Sequence, residues 1–242
     1  MINRLPFAAG DKLDPETISA FILERYLEAE DLEPRLSAAR WFAKRVFDLV
    51  MAVFGLVLML PVFLVTAVLI KLDSPGPVIF RQMRVGKNGK KFQIYKFRTM
   101  QAGAEKMGKF FVRDDDPRLT RLGKILRRFK IDELPQLWNV IKGEMSMAGP
   151  RPMIPEIVDH YPPRAKRIVL SVPPGITDFA SLVYINEGEI LRKAGDPEEL
   201  YLKQMIPSKL YYYVYYVKEQ SVWVDLKIIG MTLWRLVRGG GE

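Results

Sequence analysis

The sequence predicts an α+β protein that is mostly α, built around a helix that lies in the membrane. Three observations support this class. Residues 46–70 carry a single charge, Asp48, an Asn-Gly pair separates two short runs of alternating polarity, and apolar residues recur at helical spacing beyond residue 130. We therefore expect a re-entrant membrane helix, a small β-hairpin and surface amphipathic helices around a compact cytoplasmic domain.

The chain divides into three parts on the same grounds. Residues 1–39 form an N-terminal appendage, residues 40–73 the re-entrant membrane helix, and residues 74–238 the cytoplasmic domain with its interfacial helices. In the appendage, Asp14-Pro15-Glu16 signals the start of a short amphipathic helix, and an acidic run with Pro34 signals its end. We expect this helix to serve docking or oligomerisation, for example in a homo-oligomer.

Composition narrows the kinds of function. The 242 residues include no cysteine, which excludes a disulfide framework and a thiolate metal site. The net charge is +9, and because residues 1–36 carry −4, the rest of the chain carries +13. A body this basic is expected to bind an anionic partner, such as a phosphorylated ligand, acidic lipid or nucleic acid.

The apolar segment over residues 46–70 is long enough to reach across a membrane. As one continuous helix its 25 residues would extend about 37 Å, against about 30 Å for the hydrocarbon core. Buried core helices rarely exceed about 14 apolar residues, so we place the segment in the membrane.

Pro61 bears on whether this helix crosses the membrane or returns. It removes one backbone hydrogen bond and splits the segment into pieces of fifteen and nine residues, neither of which spans alone. Both flanks are basic, and the positive-inside rule assigns both to the cytoplasm. A bend at Pro61 satisfies that rule, whereas a straight span, the alternative, violates it. Asp48 is expected to pair with Lys44, one helical turn earlier.

Residues 78–97 predict the hairpin. Lys87-Asn88-Gly89-Lys90 separates two alternating runs, and Asn-Gly is a preferred pair for a tight hairpin turn. On the second strand Lys96 and Arg98 share one face, so two cations are expected side by side. They are either solvated strand residues or part of an anion site.

One stretch of the cytoplasmic domain carries the residues best suited to chemistry. Asp132 and Glu133 are adjacent, Arg127 precedes them, and Arg151 follows between two prolines. Apolar residues at helical spacing predict a helix over 132–142, with the two carboxylates at its N-terminus. Either Asp132 is a helix cap beside a solvated basic face, or the stretch is a phosphate site with arginine forks above a helix terminus.

Two helices are predicted near the C-terminus. Five tyrosines between residues 211 and 216 define an aromatic helix, which packs in the core, stacks on a base or lies at a lipid interface. Residues 222–238 place Trp223, Trp234 and other apolar residues on one side, with cations elsewhere. This pattern is typical of a helix in the membrane interface.

Several short motifs stand at intervals along the chain, each of them once. They are Lys44-Arg45-Val46-Phe47-Asp48, Lys96-Phe97-Arg98-Thr99-Met100, Asp132-Glu133-Leu134-Pro135-Gln136-Leu137, Asn139-Val140, Gly149-Pro150-Arg151-Pro152 and Pro174-Gly175-Ile176-Thr177. Together they resemble the bacterial sugar transferase family, the monotopic polyprenyl-phosphate phosphoglycosyl transferases, over residues from about 40 to 238. The chain departs from many members of that family in having Leu60 before Pro61, and Pro173 and Asp178 around the last motif.

The resemblance implies a reaction and a site. A sugar-1-phosphate passes from a nucleoside-diphosphate sugar, usually a UDP-sugar, to undecaprenyl phosphate, and Mg²⁺ is the family cofactor. Asp132 would be the nucleophile and a metal ligand, and Glu133 would be its catalytic partner. The expected phosphate contacts are Arg127, Arg151, Lys96 and Arg98. The acidic segment over residues 178–207 is expected to vary with the sugar donor.

The resemblance also implies a location, the bacterial inner (cytoplasmic) membrane, with the re-entrant helix in membrane lipid and the catalytic domain on the cytoplasmic face. Nucleic acid is then not a partner. The alternative from another class is a non-catalytic membrane-associated basic protein that binds anionic lipid or nucleic acid.

Overall fold

The computed structural model describes residues 20–29, 37–104, 116–184 and 186–238, so the predicted helix start at Asp14 lies outside the described residues. The helices are α1 (Ala20–Ala29), α2 (Ala38–Leu58), α3 (Leu60–Asp73), α4 (Arg121–Arg128), α5 (Gln136–Ile141), α6 (Pro155–Val158), α7 (Pro163–Val169), α8 (Phe179–Val183), α9 (Glu187–Lys193), α10 (Pro197–Leu200), α11 (Ile206–Glu219) and α12 (Val222–Val237). The strands are β1 (Ile79–Val85), β2 (Lys91–Phe97), β3 (Ser146–Ala148) and β4 (Gly175–Thr177). The fold is thus mostly helical, as predicted, with two small sheets.

The predicted break in the apolar segment is present. α2 ends at Leu58 and α3 begins at Leu60, and the helix direction bends by 59° between them. Pro61 lies in the first turn of α3, where its missing N–H breaks no helical hydrogen bond. Within the described ranges no single helix is long and apolar enough to cross a membrane, whereas this bent pair meets the requirement by length and composition.

The bent pair carries a large apolar surface. Side chains with more than half of their area exposed include Phe42, Val50, Phe54, Val57, Leu60, Leu64, Val68 and Leu72. An exposed apolar surface of this extent marks a site of interaction with lipid or protein.

The predicted hairpin is confirmed. β1 and β2 pair antiparallel along their whole length. In the turn, Asn88 has φ 55° and Gly89 has φ 75°, and the Lys90 N–H donates to the Lys87 carbonyl at 3.1 Å. Two successive left-handed residues make a type I′ turn, which explains why Asn-Gly stands at these positions.

β3 and β4 form a parallel pair that the sequence pattern does not predict. Ser146 lies opposite Gly175, and Ala148 lies opposite Thr177. The two backbones approach so closely that a Cβ on Gly175 would lie 2.1 Å from the Gly149 nitrogen. Glycine is therefore required where these strands meet.

The main core lies around α11. Its residues Tyr212, Tyr213 and Tyr216 expose no more than 1% of their surface, which confirms the core interpretation of this tyrosine-rich helix. α1 of the predicted appendage packs on α11 through buried Leu23 and Leu27.

α12 is amphipathic, as predicted. Ser221 caps its N-terminus by accepting a hydrogen bond from the Val224 N–H. Asp225 and Ile228 are fully buried on one face, whereas the two tryptophans, Leu233 and Val237 are exposed. The helix thus presents an unpaired apolar face with aromatic residues near both of its ends.

Candidate active site

The carboxylate pair lies in a tight turn and not in the first turn of an α-helix. A 3₁₀ turn spans Ile131–Glu133, and α5 begins only at Gln136, so the predicted helix over 132–142 is shorter than expected. The reason is Pro135, which has no N–H to donate to the Ile131 carbonyl. The Leu134 N–H occupies that carbonyl instead, at 3.2 Å.

Glu133 is held by two cations. Lys96 Nζ donates to Oε1 at 2.8 Å, and Arg151 donates to both oxygens, to Oε2 from Nη1 at 3.3 Å and to Oε1 from Nη2. Burial alone would raise the pKa of Glu133, but the charges of Arg151 and Lys96 outweigh it and hold that pKa well below its usual range. Glu133 is therefore ionised, and both of its oxygens are occupied.

Asp132 has the opposite environment. Its side chain is buried, and its Oδ1 atom has no hydrogen-bond partner among the described residues. Burial and the neighbouring Glu133 raise the pKa of Asp132. A buried acceptor without a partner costs free energy, so a free oxygen at this position points to a role for Asp132 toward a ligand.

Further positive charges surround Asp132. The charges of Lys96, Arg127 and Lys130 oppose the rise in the pKa of Asp132. Arg127 lies in the last turn of α4, and Lys130 adopts a left-handed conformation with φ 56° where the chain leaves that helix. Within the described ranges Arg127 makes no ion pair, so its guanidinium is available to an anion.

Lys96 and Arg84 enter the site from the hairpin. Burial, with the nearby charge of Arg151, lowers the pKa of Lys96 to about 8. Arg84 donates to the Pro152 carbonyl at 3.1 Å, and burial with the charge of Arg151 lowers its pKa to about 10. No sequence motif marks Arg84, but strand alternation puts it on the same face of the hairpin as Lys96, although Arg84 lies opposite Phe92 and Lys96 lies opposite Phe80.

Arg98 lies elsewhere, which corrects the expectation that it stands beside Lys96. β2 ends at Phe97, and the Arg98 guanidinium turns toward the end of α3. It donates to the Pro75 carbonyl at 2.6 Å and to the Ser74 carbonyl at 2.7 Å. Arg98 thus fastens the end of the apolar helix pair to the hairpin, and its donors are directed away from the carboxylate pair.

Arg151 is positioned by the second sheet. It follows β3 in the Gly149–Pro152 loop, whose backbone bonds to the neighbouring strand segment. The Gly149 N–H donates to the Thr177 carbonyl at 3.1 Å, and the Gly175 N–H donates to the Pro150 carbonyl at 3.0 Å. The Pro-Gly-Ile-Thr motif therefore supports the arginine loop.

Asn139 joins α5 to the edge of the hairpin. Its Oδ1 accepts from the Tyr95 N–H at 3.1 Å, and its Nδ2 donates to the Gln93 carbonyl at 2.7 Å. The Asn139 amide thus satisfies two backbone groups at the free edge of β2. These bonds fix the position of Lys96, on β2, relative to Glu133. Asn139 stands in one of the sequence motifs, but the motif alone does not indicate this role.

A cluster of buried charges connects the apolar helix pair to the site. Lys44 of α2 bonds to Asp225 of α12 at 2.6 Å and to Ser146 of β3 at 2.7 Å, and lies 3.6 Å from Asp48. The Tyr216 hydroxyl donates to the other Asp225 oxygen at 2.8 Å. The predicted Lys44–Asp48 pair is confirmed, but it is buried inside the protein.

A metal ion would find one free carboxylate here. The described residues contain no group of three or more Asp, Glu, His or Cys side chains able to enclose a cation. Mg²⁺ commonly binds through one or two carboxylates together with substrate phosphates and water. The free oxygen of Asp132 fits that mode of binding, whereas Glu133 is fully occupied.

The fold and this site define a class of protein. The chain matches the bacterial sugar transferase family over residues 39–239 and belongs to that family.

Curated relatives make the likeness more specific. The chain is 41% identical over 202 residues to the UDP-N-acetylgalactosamine-undecaprenyl-phosphate N-acetylgalactosaminephosphotransferase of Aeromonas hydrophila. The aligned region covers 83% of this chain and 45% of that protein. It is 37% identical over 203 residues to the UDP-glucose:undecaprenyl-phosphate glucose-1-phosphate transferase of Escherichia coli (strain K12), covering 83% of this chain and 41% of that protein. It is 39% identical over 210 residues to the exopolysaccharide production protein PSS of Rhizobium leguminosarum bv. phaseoli, covering 82% of this chain and 97% of that protein. The chain thus spans less than half the length of the first two relatives.

Proposed function

We propose that this chain transfers a sugar-1-phosphate from a UDP-sugar to undecaprenyl phosphate, as the first membrane step in the assembly of a surface glycan. The observation that carries this proposal is the contrast within the carboxylate pair: Glu133 is neutralised by Arg151 and Lys96, while the adjacent Asp132 keeps a free, buried oxygen. The names of the Aeromonas and Escherichia relatives support the donor and acceptor classes.

The transfer takes place in two steps at one phosphorus atom. First, a carboxylate oxygen of Asp132 attacks the phosphorus that bears the sugar, and the bond from that phosphorus to the bridging oxygen breaks, releasing UMP. Second, an oxygen of undecaprenyl phosphate attacks the same phosphorus. The bond to Asp132 breaks, which restores the carboxylate and releases the undecaprenyl-diphosphate sugar.

The surrounding cations stabilise the charge on the transferring phosphoryl group. Arg151 and Lys96 are held in place by Glu133, and Arg127 approaches from α4, so their donors are oriented before substrate binds. Mg²⁺ held by Asp132 would neutralise charge on the diphosphate oxygens.

We place the enzyme on the cytoplasmic face of the bacterial inner membrane, with the α2–α3 pair as a re-entrant helix. The 59° bend at Pro61, the exposed apolar surface of the pair and the exposed tryptophans of α12 support this placement. It brings the site to the depth of the phosphate group of a prenyl carrier.

The test is UMP release. The full chain in detergent or vesicles is incubated with Mg²⁺, undecaprenyl phosphate and a panel of UDP-sugars, and UMP is measured. We expect release with at least one donor, and a burst of one UMP per enzyme when the acceptor is left out.

Two variants define the site. Asp132→Asn should abolish release and Glu133→Gln should lower it by about 100-fold or more, while both still partition to membranes. Full activity in Asp132→Asn would remove the nucleophile assignment. A folded wild-type chain that releases no UMP from any donor would favour the non-catalytic binding of lipid or nucleic acid.

A further inference from the structure

A second ionic group lies on the C-terminal elements of the domain. Lys209 of α11, whose side chain is 5% exposed, donates to Glu187 Oε2 at 2.8 Å. Its ammonium also lies 5.5 Å from the centre of the Tyr184 ring and 4.8 Å from that of Tyr201. One carboxylate and two aromatic rings therefore fix the position of this cation.

Glu187 itself is partly exposed. Its side chain is 34% exposed, and among the described residues only its Oε2 atom is bonded. Glu187 is the first residue of α9, so its backbone is set by a regular element. The free Oε1 is thus a hydrogen-bond acceptor of fixed position, anchored from behind by a buried cation.

This acceptor lies on the side of the domain that carries the Arg151 loop. Burial opposes ionisation of Glu187, but Lys209 and then the charges of Arg151 and Lys130 lower its pKa. Arg151 holds Glu133, and Lys130 precedes the turn that carries Asp132.

Geometry supplies the link to the site. The Tyr216 hydroxyl of α11 donates to the Ala148 carbonyl, three residues before Arg151, and Lys209 lies seven residues earlier on the same helix, about 10 Å away at 1.5 Å per residue. Glu187, which is bonded to Lys209, is therefore within reach of a sugar attached to a phosphate that Arg151 binds.

We propose that Glu187, held by Lys209, accepts a hydrogen bond from a hydroxyl or amide N–H of the donor sugar and so selects the donor. The inference rests on the proposed function, because it concerns the sugar part of the same substrate. Lys209 is a positioning residue that acts through Glu187. A site built to bond one polar group of a substrate strongly rejects analogues that lack it.

The experiment compares UDP-sugars with UDP, which lacks the donor sugar. Glu187→Gln replaces the charged acceptor by a neutral amide of the same shape. We expect KM for the preferred UDP-sugar to rise about 10-fold, the order of preference among donors to change, and the inhibition constant of UDP to stay the same.

The same helix supplies a matched control. Glu189, two residues further on, pairs with Lys193 at 2.7 Å, with side chains that are 42% and 66% exposed. Glu189→Gln removes a similar charge from α9 and should leave KM, donor preference and UDP inhibition unchanged.

Two outcomes would overturn the inference while leaving the proposed function intact. One is that the Glu187→Gln variant has the same KM as the wild type for every donor. The other is an equal rise in the UDP inhibition constant and in KM, which would move Glu187 to the nucleotide site. If Glu187→Gln fails to fold, Glu187→Asp keeps the charge but shortens the side chain, and the same donor-selective rise is expected. A wild-type chain inactive with all donors would end both proposals.

Discussion

Asp132 and Glu133 are neighbours in sequence, yet the fold gives them different partners. The 3₁₀ turn directs Glu133 toward Arg151 and Lys96, and leaves one oxygen of Asp132 without a bond among the described residues. Glu133 therefore orders the two cations, while Asp132 keeps one oxygen for the nucleophile and metal-ligand roles proposed above. Two like charges this close are tolerated because the cations neutralise one of them.

The fork geometry of Arg151 gives the first prediction at this scale. Arg151→Lys keeps the charge but cannot bond to both oxygens of Glu133 and to a phosphate. We expect kcat/KM for UMP release to fall about 10- to 100-fold, because a charge-assisted bond is lost. Arg192→Lys, at an exposed position of α9, is the control and should match the wild type. An unchanged rate in Arg151→Lys would contradict a bidentate role.

The dependence of transfer on pH should follow two groups. In the proposed mechanism Asp132 has to be ionised to attack, so activity should be lost as pH falls through its raised pKa. Lys96 has to be protonated for its proposed role toward phosphate, so activity should be lost again as pH rises through about 8. In Lys96→Arg the cation persists, and the alkaline decline of kcat/KM should move to higher pH. The same alkaline decline in wild type and variant would exclude Lys96 as its cause.

Residue identity was easier to predict than side-chain direction. Adjacent carboxylates with arginines on both sides identified Asp132, Glu133 and Arg151 as one set, and the structure brings them together. The direction of Arg98 was not predictable, because it depends on the end of α3, which the fold places beside the hairpin. Strand alternation alone put Arg98 next to Lys96.

Among the elements, those that depend on local sequence were predicted best. The type I′ turn follows from Asn88-Gly89, the helix break follows from Pro61, and α12 follows from its apolar spacing. The β3–β4 pair depends on the meeting of two three-residue strands far apart in sequence, and no local pattern encodes such a pairing.

The close contact of these strands predicts a large effect of a single methyl group. Gly175→Ala would place Cβ 2.1 Å from the Gly149 nitrogen, and should lower the free energy of unfolding by about 3 kcal/mol and displace the Arg151 loop. A Cβ on Gly195 meets nothing within 4 Å, so Gly195→Ala is the control. Denaturant unfolding and UMP release measure both effects, and equal stability of the two variants would contradict the required contact.

The bent pair α2–α3 predicts that both of its ends lie on one side of the membrane. Because the chain has no native cysteine, single cysteines can be introduced at Arg40 and Asp73 and labelled in sealed vesicles. Both should react with a membrane-impermeant reagent from the same side. Gly76 is unsuitable for labelling because it has φ 123° and faces Arg98. Labelling from opposite sides would establish a spanning helix.

At the scale of the whole molecule, the Lys44 cluster joins α2, β3 and α12. Lys44→Met would leave Asp48 and Asp225 buried without a cation, and should lower the free energy of unfolding by about 3–5 kcal/mol. The exposed Lys142–Glu144 pair offers the control, since Lys142→Met should change stability by about 1 kcal/mol or less. Unfolding in detergent measures both variants, and similar values would show that the cluster is not a structural centre.

The position of Lys44 also limits how this protein can be simplified. A fragment starting at Ser74, designed to be water-soluble, would delete the cation that bonds to Ser146 and neutralises Asp225, and would leave Asp225 with Tyr216 as its remaining partner among the side chains described here. The remaining domain would then contain a buried Asp225 carboxylate without its cation, and its core would have to repack around this group. Solubility and activity are therefore expected to be mutually exclusive in this chain, and any assay of its proposed chemistry has to keep α2 and α3 attached.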